Sequence, residues 1–309
     1  MAQDLFMWGD HMIISAAVSP IWKEYGLSET QCFEELKNCG FNYIDYDFSP
    51  ANEGEWASPH ESGWAERTRG FFEKSGIAPA VAHVAGYNPL YDEPSVHKAV
   101  LGAGMLGIKN VVIPLGYAQN NTRREYESAN LSYLERLLGT AQDADVTLLI
   151  EHSGSWTKPH YTHHAIELNH IMRKLGDPER LKTNLNVAHM GVAEIKPYTD
   201  ICLLGKSIRS VDLADNFGGM PLAVDPEREE LGFAPMMGYI DYDRVMQGLV
   251  DTGYDGCFNL RMNMPRVFDK QSPYHSESPL RIMPIEFTRR LHVWSRHIIE
   301  TMLDAYQLA

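Results

Sequence analysis

Residues 146–151 read VTLLIE, five apolar or β-branched residues closed by a single carboxylate. A run this short and this rich in β-branched side chains predicts a strand covered on both faces, as strands of a parallel sheet are. A carboxylate ending such a run is costly unless it is paired or used. The same pattern recurs along the chain. Strands are expected at 12–18, 41–48, 78–84, 110–115, 146–151, 183–188, 208–213 and 257–261, eight in all.

Amphipathic helical segments with readable ends lie between these runs. Ser28 with Gln31 forms a capping-box pattern ahead of Cys32, Phe33 and Leu36, and Gly40 stands where the helix should stop. Thr122 with Glu125 repeats the pattern before a stripe of Leu131, Leu134, Leu137 and Leu138. Further helices are expected at 64–75 before Gly76, 164–175 before Gly176, and 241–251 before Gly253. Strands interleaved with helices imply right-handed crossovers and a parallel sheet. Eight such units in about 250 residues fit a closed α/β barrel, the (β/α)₈ TIM barrel, as one domain over 1–309. Long segments at 214–239 and 262–280 follow the seventh and eighth strands, on the end where barrels build their sites. Met236, Met237, Met262 and Met264 flank them and suit a lid, a protein interface or plain packing. Packing is also the first expectation for Trp8, Trp22, Trp56 and Trp64.

Bulk properties exclude several function classes. The 309 residues carry a net charge of -14, so neither nucleic acid nor an anionic membrane surface is expected as a partner. No stretch approaches the length of a membrane helix, and the opening MAQDLFMWGDHM lacks the basic start of a signal peptide. The four cysteines form no C-x-x-C pair and read as free thiols of a reducing compartment, which points to a cytoplasmic protein. Neither a G-x-G-x-x-G turn nor a P-loop occurs, so a nucleotide cofactor has no local support.

Titratable groups concentrate at the predicted strand ends: Asp45 and Asp47, His83, Glu151 and His152, Asn186 and His189, Asp212 and Asp215, and Arg261. At the mouth of a barrel such groups are candidates for proton transfer and ligand binding. The histidines at 160, 163, 164 and 170 lack the H-E-x-x-H pattern and read as a loop and a solvated helix face.

The stretches TLLIEH, NLNVAHMG, SVDLADN and GYIDYDRVMQGLVDTGYDGCFNLRM resemble the motif regions of xylose-isomerase-like sugar isomerases and epimerases. The resemblance implies a divalent ion, manganese or magnesium, held by a glutamate on strand five, an aspartate of D-x-x-H on strand six, a histidine of H-x-x-D on strand seven, and a glutamate on strand eight. Carried over, Glu151 fits, Asn186 stands for the aspartate with His189 completing its motif, Asp212 stands for the histidine with Asp215 completing its motif, and Arg261 replaces the last glutamate. Two readings follow. In one, Glu151, Asn186 and Asp212 keep a metal through oxygen ligands. In the other no cofactor is needed, because the Arg261 guanidinium, which has no acceptor, takes the place of the ion; charge favours this one.

The resemblance implies a small-molecule sugar or glycoside substrate and proton abstraction next to a carbonyl. Glu151 would be the leading proton-transfer group, assisted by His83 or His189, with Arg261 stabilising enolate charge and Asp45, His152 and Asp215 binding substrate. Loss of the second glutamate leaves room for one-base chemistry. The larger subunits of bacterial C-glycoside deglycosidases are similar barrels; they cleave 3-keto-C-glycosides beside a small partner subunit, and an inosose dehydratase-like reaction belongs with them. A homo-oligomer or such a complex is therefore expected. A non-catalytic binding barrel is the reading from outside enzymology.

Overall fold

The eight apolar runs form eight parallel strands, in a computed structural model that describes residues 12–18, 22, 25–48, 63–154, 160–193, 195–216, 232–262, 266–267 and 281–308. The strands are β1 (Ile13–Ala17), β2 (Tyr43–Phe48), β3 (Ala78–Val84), β4 (Asn110–Ile113), β5 (Thr147–Glu151), β6 (Leu181–Asn186), β7 (Ile208–Leu213) and β8 (Cys257–Leu260). Each pairs with the next, and β8 returns to β1 through Ser15↔Asn259 and Ala16↔Leu260, so the sheet closes. The expected fold class is what the chain adopts. Most of 214–239 and 262–280 lies outside the described residues; within them Arg266–Val267 (β9) and Arg281–Ile282 (β10) pair antiparallel.

Helices α1 (Glu29–Asn38), α2 (Trp64–Ser75), α3 (Pro89–Met105), α4 (Arg123–Asp143), α5 (Ala165–Lys174), α6 (Val187–Val192), α7 (Pro197–Leu204), α8 (Tyr242–Thr252) and α9 (Ile285–Ala305) surround the barrel. Both capping boxes form: Ser28 and Thr122 each accept from the third helical N–H while Gln31 and Glu125 reach back. Gly76 ends α2 at φ 63°, a left-handed conformation that glycine adopts without a Cβ penalty. The start of α3 is hidden in the sequence by Pro94, and the backbone is kinked at Asp92.

Several strand ends shift by one or two residues, and one shift changes a residue's role. The strand predicted over 183–188 ends at Asn186, whose side chain accepts the His189 N–H and opens α6. Val187 and Ala188 are buried, so they look strand-like in sequence, but Asn186 is a helix cap.

A period of two sorts the strand residues into inner and outer layers. Ala16, Ile44, Phe48, Ala82, Ile113, Ile150, Leu185, Val211 and Phe258 belong to the large core shared with the helices. Ile13, Val81, Val112, Leu149 and Cys257 form a second apolar cluster within the barrel. Two residues further along several of these strands, that cluster gives way to Ser15, His83, Glu151 and Asn259. Parallel strands bring all these C-terminal positions to one end, which makes a polar mouth above an apolar floor.

Candidate active site

His83 on β3 is the hub of the mouth. Its Nδ1 lies 2.7 Å from Asp45 Oδ1 on β2, and its Nε2 lies 3.0 Å from Asp212 Oδ2 on β7, with all three side chains buried. With both carboxyls ionised, each ring nitrogen has to donate to the oxygen it faces, which makes the ring an imidazolium. Burial and the Arg261 charge pull the His83 pKa down, but Asp45 and Asp212 outweigh them and lift it to about 10. Burial alone would raise the Asp212 carboxyl; the charge and hydrogen bond of His83, with Arg261 and Asn259, hold it well below the usual carboxylate range.

Arg261 follows β8 and donates from Nη1 to Asp45 Oδ2 at 2.6 Å, while Nη2 stands 3.8 Å from Asp47 Oδ1. Its side chain is 20% exposed against 0% for Asp45, so the guanidinium forms the accessible edge of this network. Burial disfavours its charge, and Asp45, Asp47 and Asp212 more than restore it.

Two serine–asparagine pairs complete the layer. Ser210 Oγ donates to Asn184 Oδ1 at 2.5 Å, which turns the amide nitrogen toward Asp212 Oδ2 at 2.8 Å and Glu151 Oε2 at 2.9 Å. Ser15 donates to Asn259 Oδ1 in the same way, and Asn259 Nδ2 reaches Asp212 Oδ1 at 2.9 Å. Glu151 is half-buried at the end of β5, so this carboxylate is fixed by Asn184 yet reaches the mouth.

Residues 33–281 match the family profile described as xylose isomerase-like TIM barrel. The chain belongs to that family. Among solved structures it is similar to a D-tagatose 3-epimerase-like protein, at 18% identity and a TM-score of 0.71 over 96% of this chain and 98% of the other. An L-ribulose 3-epimerase follows at 14% and 0.68, over 96% of each chain. The 3-keto-D-glucoside 4-epimerase of E. coli is similar at 13% and 0.66, over 93% of this chain and 99% of the other. No curated protein matches the chain. At such identities the likeness is one of fold.

The positions at which the xylose isomerase-like resemblance implies an ion are differently engaged here. Asn186 Oδ1 accepts the His189 N–H at 3.1 Å, and His189 Nδ1 lies 2.9 Å from the His152 carbonyl oxygen. His152 is buried, stands edge-on to His189 with ring centroids 6.1 Å apart, and is pushed down to about 3 by burial and the His189 charge. Asn186, His189 and His152 are thus engaged with one another on the β5–β6 side. Asp215 Oδ1 accepts from the backbone of Asn216 at 2.8 Å and of Ile240 at 3.2 Å. A Cβ on Gly238 would lie 2.2 Å from that oxygen, so Asp215 clamps the turn that presents the exposed Met236 and Met237.

Among the described residues, Asp45, His83 and Asp212 are the acidic and imidazole groups close enough to share an ion, with donor atoms within 4.8 Å of one another. Both oxygens of each carboxylate and both His83 nitrogens already hold hydrogen bonds. Asp45 accepts from His83 and Arg261, and Asp212 accepts from His83, Asn184 and Asn259. With Asn186 turned onto a helix start and Arg261 offering no acceptor, these residues do not fit a divalent ion.

The histidines at 160–170 stay apart, as a loop and helix face would. His163 meets the Ser153 carbonyl oxygen at 2.8 Å, His170 meets Glu127 at 3.1 Å, and the His160 ring lies tilted against Tyr117 with centroids 4.5 Å apart. Sequence reasoning did not reach Ser15, Asn184, Ser210 and Asn259. Their signal was polar residues at alternate positions of otherwise apolar strands, as in Ser210–Asp212 and Asn259–Arg261.

Proposed function

We propose that this chain is an enzyme of the sugar isomerase/epimerase type that removes a proton from a carbon next to a carbonyl. Glu151 is the base, and Arg261 stabilises the developing enolate oxygen. One observation carries the reading: a carboxylate fixed by Asn184 opens onto the same mouth as a guanidinium anchored on Asp45. The similarity to a D-tagatose 3-epimerase-like protein, an L-ribulose 3-epimerase and a 3-keto-D-glucoside 4-epimerase supports a free or keto sugar as substrate. The charges agree. Among the described residues Asp45, Asp47 and Asp212 lie against the two cations His83 and Arg261, and Glu151 opens on the same mouth, a balance that disfavours a phosphorylated sugar.

A second reading is a lyase acting on 3-keto-C-glycosides, or a dehydratase of similar type. The engagement of His83 and Asp212 favours it: both His83 nitrogens and both Asp212 oxygens are committed, which leaves Glu151, of the two carboxylates at the family's ligand positions, to act as the single base of an elimination.

The test is hydrogen–deuterium exchange at the α-carbon of a panel of free and 3-keto sugars, followed by NMR. The wild type should exchange at least one of them, and Glu151→Gln should slow exchange by about 10²–10⁴-fold while the fold is kept. Aglycone release from a 3-keto-glycoside would select the lyase reading. Sugar binding without exchange would sink both and leave a binding barrel.

A further inference from the structure

We infer that Arg261 is a resident cation in the place where the rest of the family's pattern puts a divalent ion, so the site works without a metal. The inference rests on the proposed location of the site at the barrel mouth, but not on which sugar it takes.

Three observations converge. First, the strand-eight position that would supply a carboxylate ligand carries a guanidinium, and its Nη1 is docked on Asp45 at 2.6 Å rather than swung to solvent. Second, Asp45 is wholly buried and engaged from both sides, His83 on one oxygen and Arg261 on the other, so it is a built seat for two cationic groups. Third, the ligand position on strand seven is an aspartate whose two oxygens take three N–H donors from His83, Asn184 and Asn259. The amides are oriented for this by Ser210 and Ser15, so the donors are aimed by a further layer of contacts.

An ion entering here would compete with these hydrogen bonds and sit beside a fixed positive charge in a mostly buried mouth, where Coulomb repulsion is weakly screened. A guanidinium offers the negative oxygen of an enolate a planar pair of donors and a charge that does not titrate away in the working range. Asp45 acts through Arg261 and His83, as a positioning residue.

The experiment reads metal directly, apart from activity. Wild-type protein expressed in medium supplemented with manganese and magnesium is desalted, analysed for metal content, titrated with Mn²⁺ under EPR, and melted with Mn²⁺ or EDTA. The expected result is far less than one ion per chain and a Tm that neither addition moves. In Arg261→Glu and Arg261→Gln, Asp45 loses its guanidinium. Mn²⁺ should then bind Arg261→Glu and raise its Tm with ion concentration, as any ligand of the native state does. Arg261→Lys, which keeps a charge, should stay indifferent to the ion.

One ion held tightly by each wild-type chain and lost in Glu151→Gln would overturn the inference. So would a folded Arg261→Glu that ignores Mn²⁺ as the wild type does, since Arg261 would then not be what fills the ion's place. If that variant does not fold, the ion content of the wild type decides. Proton exchange that requires Mn²⁺ overturns the resident cation and keeps the proposed function; no exchange and no ion does the reverse.

Discussion

Two buried histidines, one in the barrel mouth and one behind it, meet opposite fates. His83 lies between Asp45 and Asp212 and is lifted to about 10; His152 lies against His189 and is pushed down to about 3. Burial acts on both in the same direction, against the charged ring. The difference is what the protein places at the ring nitrogens. Both His83 nitrogens find carboxylate oxygens, whereas the buried Nε2 of His152 has no hydrogen-bond partner among the described residues. The mouth is organised around fixed charge, and the region behind it around the avoidance of charge.

The comparison breaks most directly at Asp212. Asp212→Ala would leave a buried imidazolium facing one carboxylate and strand the amides of Asn184 and Asn259. The expected cost is about 3–5 kcal/mol in urea denaturation, because the remaining partners lose their counter-charge. A loss below about 1 kcal/mol would show that the mouth relaxes without its central acceptor.

Next come the two pH windows. His83 is raised above its unfolded value of 6.5, so its contribution is complete below pH 6.5 and is lost as pH climbs toward about 10. Stability should fall by roughly 2–4 kcal/mol between pH 7 and pH 10, and the slope should flatten in His83→Gln. His152 is depressed, so its contribution is complete above pH 6.5 and is lost as pH falls toward about 3. Denaturation at pH 6 and pH 4 should show a decline that His152→Phe reduces. If instead His83→Gln altered the acid limb and His152→Phe the alkaline one, the contrast would be reversed.

The smallest effect is expected at Ser210. Its hydroxyl aims the Asn184 amide, so Ser210→Ala should cost about 1 kcal/mol and slow proton exchange without abolishing it, since Glu151 remains. A loss of exchange as deep as that of Glu151→Gln would show that the amide's orientation, and not the carboxylate alone, is limiting.

Much of the barrel is legible in the sequence because its determinants are local. Short apolar runs, Ser28–Gln31 and Thr122–Glu125 each act within a few residues, and the structure forms them where they stand. Reading fails where a local signal is ambiguous: Asn186 followed by Val187 and Ala188 serves strand or helix start equally, and the cap decides. The candidate site is legible only as a set of types. Glu151, His83, Asp212 and Arg261 can be picked from strand ends, but so can His152, His189 and Asp215, which the structure engages elsewhere.

By itself the sequence determined that eight strands alternate with helices and that polar groups gather at their C-terminal ends, because periodicity and capping depend on near neighbours. Tertiary structure alone decided that His83 meets Asp45 across 38 residues and Asp212 across 129, and that Arg261 meets Asp45 across 216. Closing the sheet brings those positions within hydrogen-bond reach. A cation at the mouth is therefore a property of the closed barrel, set by which carboxylates it lays against His83 and Arg261.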